Sequence, residues 1–170
     1  MKYMEEGGFQ DHPLMRLTLL WASAFLTGLW ATNFFFYFSK MGLAPQSVVD
    51  YYRGSETLFT QPRSFETMLE TTHFHLPMMA VVLLLLTHLV IFAPFSRRTK
   101  KWFISGTFGS ALLEEGSGWL VRFVHPGFAI LKILSFAVFQ SFMAFLLFAL
   151  VRYLLSAGAQ AKHSGSRRPR

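Results

Sequence analysis

The residues best suited to chemistry in this sequence are histidines set within apolar segments. His73 and His75 lie in the segment TTHFH, His88 lies in LLTHL, and Glu70 precedes all three. Neutral imidazole is a strong ligand for transition metals, and its charge changes near neutral pH. An ionisable side chain inside a membrane-spanning helix indicates a functional site. Residues 64–96 are therefore the segment on which a functional hypothesis rests.

The spacing of these histidines predicts two levels along one helix. His88 follows His73 by 15 residues and His75 by 13. On an ideal helix His73 and His88 lie about 60° from a common face and roughly 22 Å apart along the axis, whereas His75 and His88 lie about 140° from a common face. Pro77 lies between the two levels and can kink the helix. His73 is thus the better partner for His88 on one face.

Composition indicates a membrane protein. The chain has 170 residues, of which 52% are hydrophobic and 20 are Phe, and it has no cysteine. The missing cysteine excludes disulfides, iron–sulfur clusters, covalently attached haem and thiol catalysis. The net charge of +7 comes from basic residues that cluster beside hydrophobic runs, which is typical of membrane topology. We therefore expect a lipid bilayer, and no nucleic acid, as the surroundings of this protein.

The pattern of apolar runs predicts an all-α polytopic membrane protein, a bundle of four transmembrane helices with a break in the third helix. The expected helices cover residues of about 14–38, 64–95, 102–124 and 127–155, within a transmembrane domain of residues 14–155. Residues 1–13 are expected to be a cytoplasmic N-terminus, and residues 156–170 a basic, disordered tail. The connection of residues 40–63 is expected to be an ordered loop with aromatic anchors.

The third segment is the ambiguous one, because residues 114–118, EEGSG, fall where a bilayer midplane would be. It is either a broken crossing or an interfacial helix. The basic loop SRRTKK after the second helix marks the cytoplasmic side. A third crossing places the basic tail on that same side, so we favour four crossings, with both termini in the cytoplasm. A bacterial inner membrane is the expected location.

In this topology the candidate site residues separate by depth. His73, His75 and His125 lie toward the outer side, where they could converge, and His88 and His12 lie toward the inner side.

The acidic residues suggest a second kind of chemistry. Glu70, Glu114 and Glu115 are candidates for proton exchange with a quinone, and Arg122 or Lys132 is an expected partner for one of the last two.

The TTHFH and LLTHL segments, together with His125, resemble the small four-helix membrane cytochromes of the b type, in which one helix carries two histidines about a dozen residues apart. This resemblance implies one or two haem b groups with paired imidazole ligands, electron relay across or within the bilayer, and a quinone at one end. It implies that His73 or His75 pairs with His125 at the outer level, and that His88 has only His12 available at the inner level.

Two other function classes stay open. The first is a non-haem copper, zinc or iron site. Glu70 and His73 are spaced as in one helix of a di-iron bundle, while His73, His75 and His125 suit copper or zinc, and His88 is a further candidate ligand. The second is a cofactor-free accessory subunit of a larger membrane complex. We expect an electron-transfer or accessory subunit, associated with membrane or periplasmic redox subunits or a second copy, more than a stand-alone enzyme.

Overall fold

The computed structural model describes residues 12–92 and 95–165, with side chains as far as residue 156, and the elements in this part of the chain are helices. Within these residues, five α-helices follow one another: α1 (Pro13–Lys40), α2 (Pro45–Arg53), α3 (Phe65–Val90), α4 (Arg97–Trp119) and α5 (Ala129–Gly165). A π-helical turn, Leu120–Val124, extends α4, and a 3₁₀ turn, Pro126–Phe128, leads into α5. The predicted all-α class is confirmed.

Three helical stretches of the described chain are apolar and long enough to cross a bilayer: Pro13–Lys40, Phe65–Val90 and Pro126–Ser156. A crossing needs roughly 20 residues. These stretches correspond to the first, second and fourth crossings expected from the sequence. The helix α4 has a similar length, but basic residues in its first turns and two glutamates near its end make it much more polar.

The short helix α2 differs from the sequence prediction, which gave an ordered loop here. Pro45 lies in the first turn, where its missing N–H costs nothing, and Gly54 ends the helix with a φ of 79°. A Cβ at Gly54 would lie 2.6 Å from the carbonyl oxygen of Thr60. The proline and glycine that suggest a loop are therefore the start and stop signals of a helix. Val48 is fully buried, and α2 packs on α5 and the π turn.

The helix α3 begins as the sequence predicts. Ser64 is its N-cap, and its hydroxyl accepts a hydrogen bond of 3.2 Å from the amide N–H of Thr67. Pro77 lies within the helix, which runs unbroken through it. The helix ends at Val90, earlier than the expected residue 95, and residues 93 and 94 lie outside the described chain.

The helix α4 starts five residues earlier than expected, because Ser96 caps it by accepting a hydrogen bond of 3.1 Å from the amide of Thr99. The basic residues expected in a loop therefore belong to its first turns. One of them, Lys100, donates a hydrogen bond of 2.6 Å to the carbonyl of Ile91, just beyond the end of α3. The expected break at residues 114–118 is absent, and the irregular geometry lies further on, in the π turn.

The helices α4 and α5 form the most extensive helix pair of the fold and run antiparallel through the turn at residues 125–128. Small residues on α4 allow the close approach. A Cβ at Gly106 would overlap the ring of Phe142, and the hydroxyls of Ser117 and Ser135 lie 3.4 Å apart. The helix α5 also continues to Gly165, through most of the tail expected to be disordered, while residues 166–170 lie outside the described chain.

Candidate functional site

A cavity of about 390 Å³ lies between α1, α3 and α5, and the end nearest α2 is closed by residues of α2 and α4. Its lining changes along its length. Lys132, Glu114, Glu115, His75 and Tyr52 contribute polar groups at the α2 end. Further along α5, the lining becomes apolar and rich in aromatic rings and methionines: Met78, Met79, Val82, Phe136, Phe139 and Met143. This arrangement fits a molecule with a polar head and an apolar body.

A buried ion pair joins α4 to α5 at the polar end. The Nζ of Lys132 donates a hydrogen bond to the carboxylate of Glu114 and a second one, of 2.8 Å, to the backbone carbonyl of Glu114. The side chain of Lys132 is 6% exposed and that of Glu114 is 17% exposed. A buried ammonium is stable only when it is paired and hydrogen-bonded, and both conditions hold here. Lys132 is one of the two partners that the sequence suggested for the glutamates.

The neighbouring glutamate links α4 to α3. His75 Nδ1 lies 3.0 Å from one carboxylate oxygen of Glu115, and the Thr72 hydroxyl donates a hydrogen bond to the other. The indole N–H of Trp119 in turn donates to the Thr72 hydroxyl, at 2.9 Å. Glu115 thus has a partner for each oxygen. Because Nδ1 of His75 is engaged, Nε2 is the nitrogen of this ring that remains for a ligand.

Tyr52 brings α2 over the ion pair. Its phenol packs directly on Gly118, where a Cβ would lie 2.7 Å from the Tyr52 hydroxyl oxygen. Burial raises the pKa of Tyr52, and the positive charge of Lys132 opposes this effect only in part. The phenol therefore stays neutral at physiological pH and keeps its hydrogen-bond donor beside the cavity.

Two arginines hold the connection between α2 and α3. Arg63 lines the cavity, its guanidinium lies 4.4 Å from the ring centroid of Tyr51, and it donates a hydrogen bond of 2.7 Å to the Tyr51 hydroxyl. Arg122 donates a hydrogen bond of 2.7 Å to the backbone carbonyl of Arg63. Arg122 does not line the cavity, so it supports the cavity wall from behind instead of pairing with Glu114 or Glu115.

The side of the cavity between α1 and α3 is open. The helix α1 packs against α5 and hardly contacts α3, so these two walls are not sealed against each other. Three lining residues show this opening: Phe36 on α1 is 64% exposed, Met78 on α3 is 63% exposed, and the side chain of His75 is 52% exposed. Both helices are long and apolar enough to span a bilayer. In a membrane the opening therefore faces lipid.

The histidines singled out from the sequence do not come together. Of these residues, His75 lines the cavity, while His73 is exposed with its ring against Phe74. His125 is exposed and its Nδ1 accepts a hydrogen bond of 3.0 Å from the amide of Gly127, which caps the 3₁₀ turn. His88 packs against Phe92, and its buried Nε2 has no hydrogen-bond partner within the part of the chain that the structure describes. His12 is the N-cap residue of α1.

Two further observations concern the predicted ligands and proton carriers. Among the side chains described in residues 12–92 and 95–156, no three His, Asp or Glu residues form a group that could hold a metal ion. Glu70 is exposed and does not line the cavity, in contrast to Glu114 and Glu115.

Sequence reasoning missed Tyr52 and Gln140 as cavity residues. Tyr52 lies in α2, which was expected to be a loop, and nothing in the sequence connects it with α4. Gln140 is a large uncharged polar residue near the middle of the last apolar run, and its place there was the one available signal. Its side chain is buried and lines the cavity, and its Oε1 has no hydrogen-bond partner among the described residues.

Comparison with known proteins identifies the class of this chain. Residues 42–161, more than half of the chain, match a family described as a transmembrane helical domain, Aq_1264_TM. The match covers α2 to α4 and most of α5, and it leaves out α1. No curated protein and no solved structure matches the chain. The protein therefore belongs to the Aq_1264_TM family of transmembrane helical domains and lies in a lipid bilayer.

Proposed function

We propose that this protein is a membrane subunit that binds a quinone in the cavity and takes part in electron transfer within the bilayer. The observation that carries the proposal is the cavity itself, which opens between two apolar helices and ends at a buried cluster of ionisable groups. A quinone reaches such a site from the lipid without crossing water. Its isoprenoid tail can extend through the opening, while its ring occupies the aromatic and methionine-lined part.

The polar end offers hydrogen bonds to the oxygens of a quinone ring. Nε2 of His75 and the phenol of Tyr52 are suitable groups, and Lys132 provides a positive charge nearby. Positive charge and hydrogen-bond donors favour a partly reduced, electron-rich ring. The pair formed by His75 and Glu115 can hold one proton in a shared hydrogen bond, which is the requirement for a group that exchanges protons with a quinol.

We further propose that α4 crosses the membrane as the third of four crossings. It lies antiparallel to α5, and the charges near its end, Glu114 and Glu115, are paired inside the bundle with Lys132 and His75. Charged residues within membrane-spanning helices usually pair with other groups inside the protein. The four basic residues in its first turns favour a cytoplasmic start. Both termini then lie in the cytoplasm, and the polar end of the cavity lies toward the outer side.

Titration with a short-chain quinone tests the proposal. The full-length protein in lipid nanodiscs is titrated with a decyl-substituted benzoquinone, and tryptophan fluorescence is recorded, since Trp119 lines the cavity. Saturable quenching that a second quinone relieves by competition is the expected result. Quenching that only grows linearly with concentration, as it does for partitioning into lipid, contradicts the proposal. It would favour the cofactor-free accessory subunit.

Haem b is a second candidate, and His88 is the residue that favours it. Its Nε2 is buried and has no hydrogen-bond partner within the described residues, so His88 could serve as a ligand to a haem iron. His73 and His75 are 15 and 13 residues earlier on α3, about 22 and 20 Å away along the axis, so neither could be a second ligand to the same iron. A second ligand would have to come from outside α3, and His12 is the candidate that the sequence offers. When bound, such a group carries one electron at a time.

The absorption spectrum of the dithionite-reduced protein tests this second candidate. A sharp band in the α region that disappears in the His88→Ala variant is expected if His88 is a ligand. The matched control is His73→Ala, which removes an exposed imidazole from the same helix. A spectrum without an α band rules out haem b and leaves the quinone proposal unaffected.

A further inference from the structure

Gln140 stands out among the buried polar residues of the bundle. Its side chain is 4% exposed, and its Oε1 has no hydrogen-bond partner in the part of the chain that the structure describes. Other buried polar side chains of the bundle find a backbone carbonyl or a carboxylate as acceptor: Ser23, Thr87, Thr107, Ser110, Ser117, Lys132 and Ser135. A buried acceptor without a donor is unfavourable, so we expect Gln140 to bind a hydrogen-bonding partner from outside the chain.

The surroundings of Gln140 place that partner in the cavity. Gln140 lines the cavity together with Met79, Phe139 and Met143, whose side chains provide no hydrogen-bond donor. Its backbone carbonyl accepts a hydrogen bond of 3.0 Å from the indole of Trp30, which fixes α1 against α5 at this level. The terminal torsion of a glutamine side chain rotates readily, and such a rotation exchanges the positions of Oε1 and Nε2. The amide can thus present either its acceptor or its donor to a ligand.

The cavity has polar groups at two levels, its α2 end and Gln140. The distance between these levels limits the size of the ring that can contact both. His75 and Lys132 bind adjacent carboxylates on α4, so they lie at a similar level. Gln140 is eight residues further along α5 than Lys132, which corresponds to about 12 Å. A six-membered ring with oxygens at opposite positions, hydrogen-bonded at both ends, spans on the order of 10 Å between its protein partners. One ring therefore bridges the two levels.

We propose that the amide of Gln140 binds the second oxygen of the ring, and that the site selects ligands with two para oxygens. This inference rests on the proposed quinone function and names the part of the ligand that is recognised. Oε1 accepts a hydrogen bond from the hydroxyl of a quinol, and Nε2 donates to the carbonyl of a quinone. In both forms, the first oxygen contacts the cluster at the α2 end.

A comparison of two ligands on two proteins tests the role of Gln140. The ligands are decylhydroquinone and 3-decylphenol, which keeps the chain in place and lacks one of the two oxygens. The proteins are the wild type and Gln140→Met, a replacement of similar shape that suits the methionine-rich lining. We expect Gln140→Met to weaken binding of the hydroquinone by roughly tenfold, as for the loss of one buried hydrogen bond, and to leave binding of the phenol unchanged. Ser141→Ala, on the exposed side of α5, is the control.

The outcomes separate this inference from the proposed function. Equal affinity of wild type and Gln140→Met for the hydroquinone overturns the inference while leaving quinone binding in place. Absence of saturable binding of either ligand to the wild type overturns both. The thermal midpoint of the ligand-free variant gives an independent readout. It is expected to equal or exceed that of the wild type, and a fall of several degrees would mean that the amide has a structural partner within the protein.

Discussion

His75 Nδ1 lies 3.0 Å from Oε2 of Glu115 and joins α3 to α4 across forty residues of sequence. Beside this contact, Glu114 pairs with Lys132 and joins α4 to α5. Two adjacent glutamates on one helix thus fix both of its neighbours at the same level. The polar end of the cavity is the place where these two contacts meet.

Replacing Glu115 by Gln removes a charge that accepts hydrogen bonds from His75 and Thr72. Hydrogen bonds to a charged group contribute more than neutral ones, but His75 is half exposed, so we expect a loss of only about 1–2 kcal/mol. Thermal unfolding in detergent measures this loss as a lower midpoint. Glu66→Gln, in the exposed first turn of α3, is the control, and an equal shift in both variants would contradict the role of Glu115.

Removal of the amine of Lys132 is expected to be the most damaging change in the cavity. Lys132→Met leaves Glu114 buried without its cation, which costs about 3–5 kcal/mol. The double variant Lys132→Met, Glu114→Gln removes both charges and should recover most of that loss. Thermal unfolding of the two variants measures the difference. A double variant as unstable as the single one would show that the charges do not interact as a pair.

Gly118 is expected to tolerate no side chain, because the phenol of Tyr52 packs against it. Gly118→Ala forces the phenol away and should cost about 1–3 kcal/mol, the range for overpacked sites. The matched control lies two residues earlier, since a Cβ at Gly116 meets nothing within 4 Å. Gly116→Ala should leave the midpoint unchanged or raise it in the same thermal unfolding measurement, because alanine is the better helix former. Similar midpoints for the two variants would contradict the contact between α2 and α4.

The pKa of Tyr52 predicts a loss of stability at alkaline pH. Burial raises this pKa in the folded protein, so the phenol ionises more readily in the unfolded chain. Its contribution to stability is therefore complete below the unfolded pKa of about 10 and is lost as pH rises through the folded value. Unfolding midpoints measured from pH 8 to 11 should fall less steeply for Tyr52→Phe than for wild type. Parallel curves would exclude this effect.

The sequence predicts the parts of the fold that depend on local pattern. The apolar runs of α1, α3 and α5 and the start of α3 near Ser64 are found in the structure. Each of these features is encoded within a few neighbouring residues.

The features that the sequence does not predict depend on contacts between distant segments, or on residues that fit two kinds of local structure. Pro45 and Gly54 fit a loop as well as they fit the ends of α2, and Ser96 extends α4 into residues that read as a basic loop. Tyr52 and Gln140 become cavity residues only when α2 and α1 dock on the α4 and α5 pair. No spacing along the chain indicates those docking positions.

The predicted histidine cluster shows the limit of helix geometry most clearly. Counting residues correctly separates His88 from the outer histidines on α3, but it cannot tell which outer imidazole faces the bundle. The structure gives this position to His75, through Glu115 on the neighbouring helix, whereas His73 is exposed. The contact with Glu115 on the neighbouring helix therefore determines which imidazole faces the bundle.

The central claim, that the cavity binds a quinone, is tested most directly by filling the cavity with one side chain. Val82 lines its apolar part, while the adjacent Val81 is 64% exposed and does not line it. Val82→Phe and Val81→Phe add the same ring at neighbouring positions of α3. Titration of both variants with decyl-substituted benzoquinone should show at least tenfold weaker binding for Val82→Phe, and wild-type binding for Val81→Phe. Equal affinity in both variants would place any quinone outside this cavity and contradict the proposal.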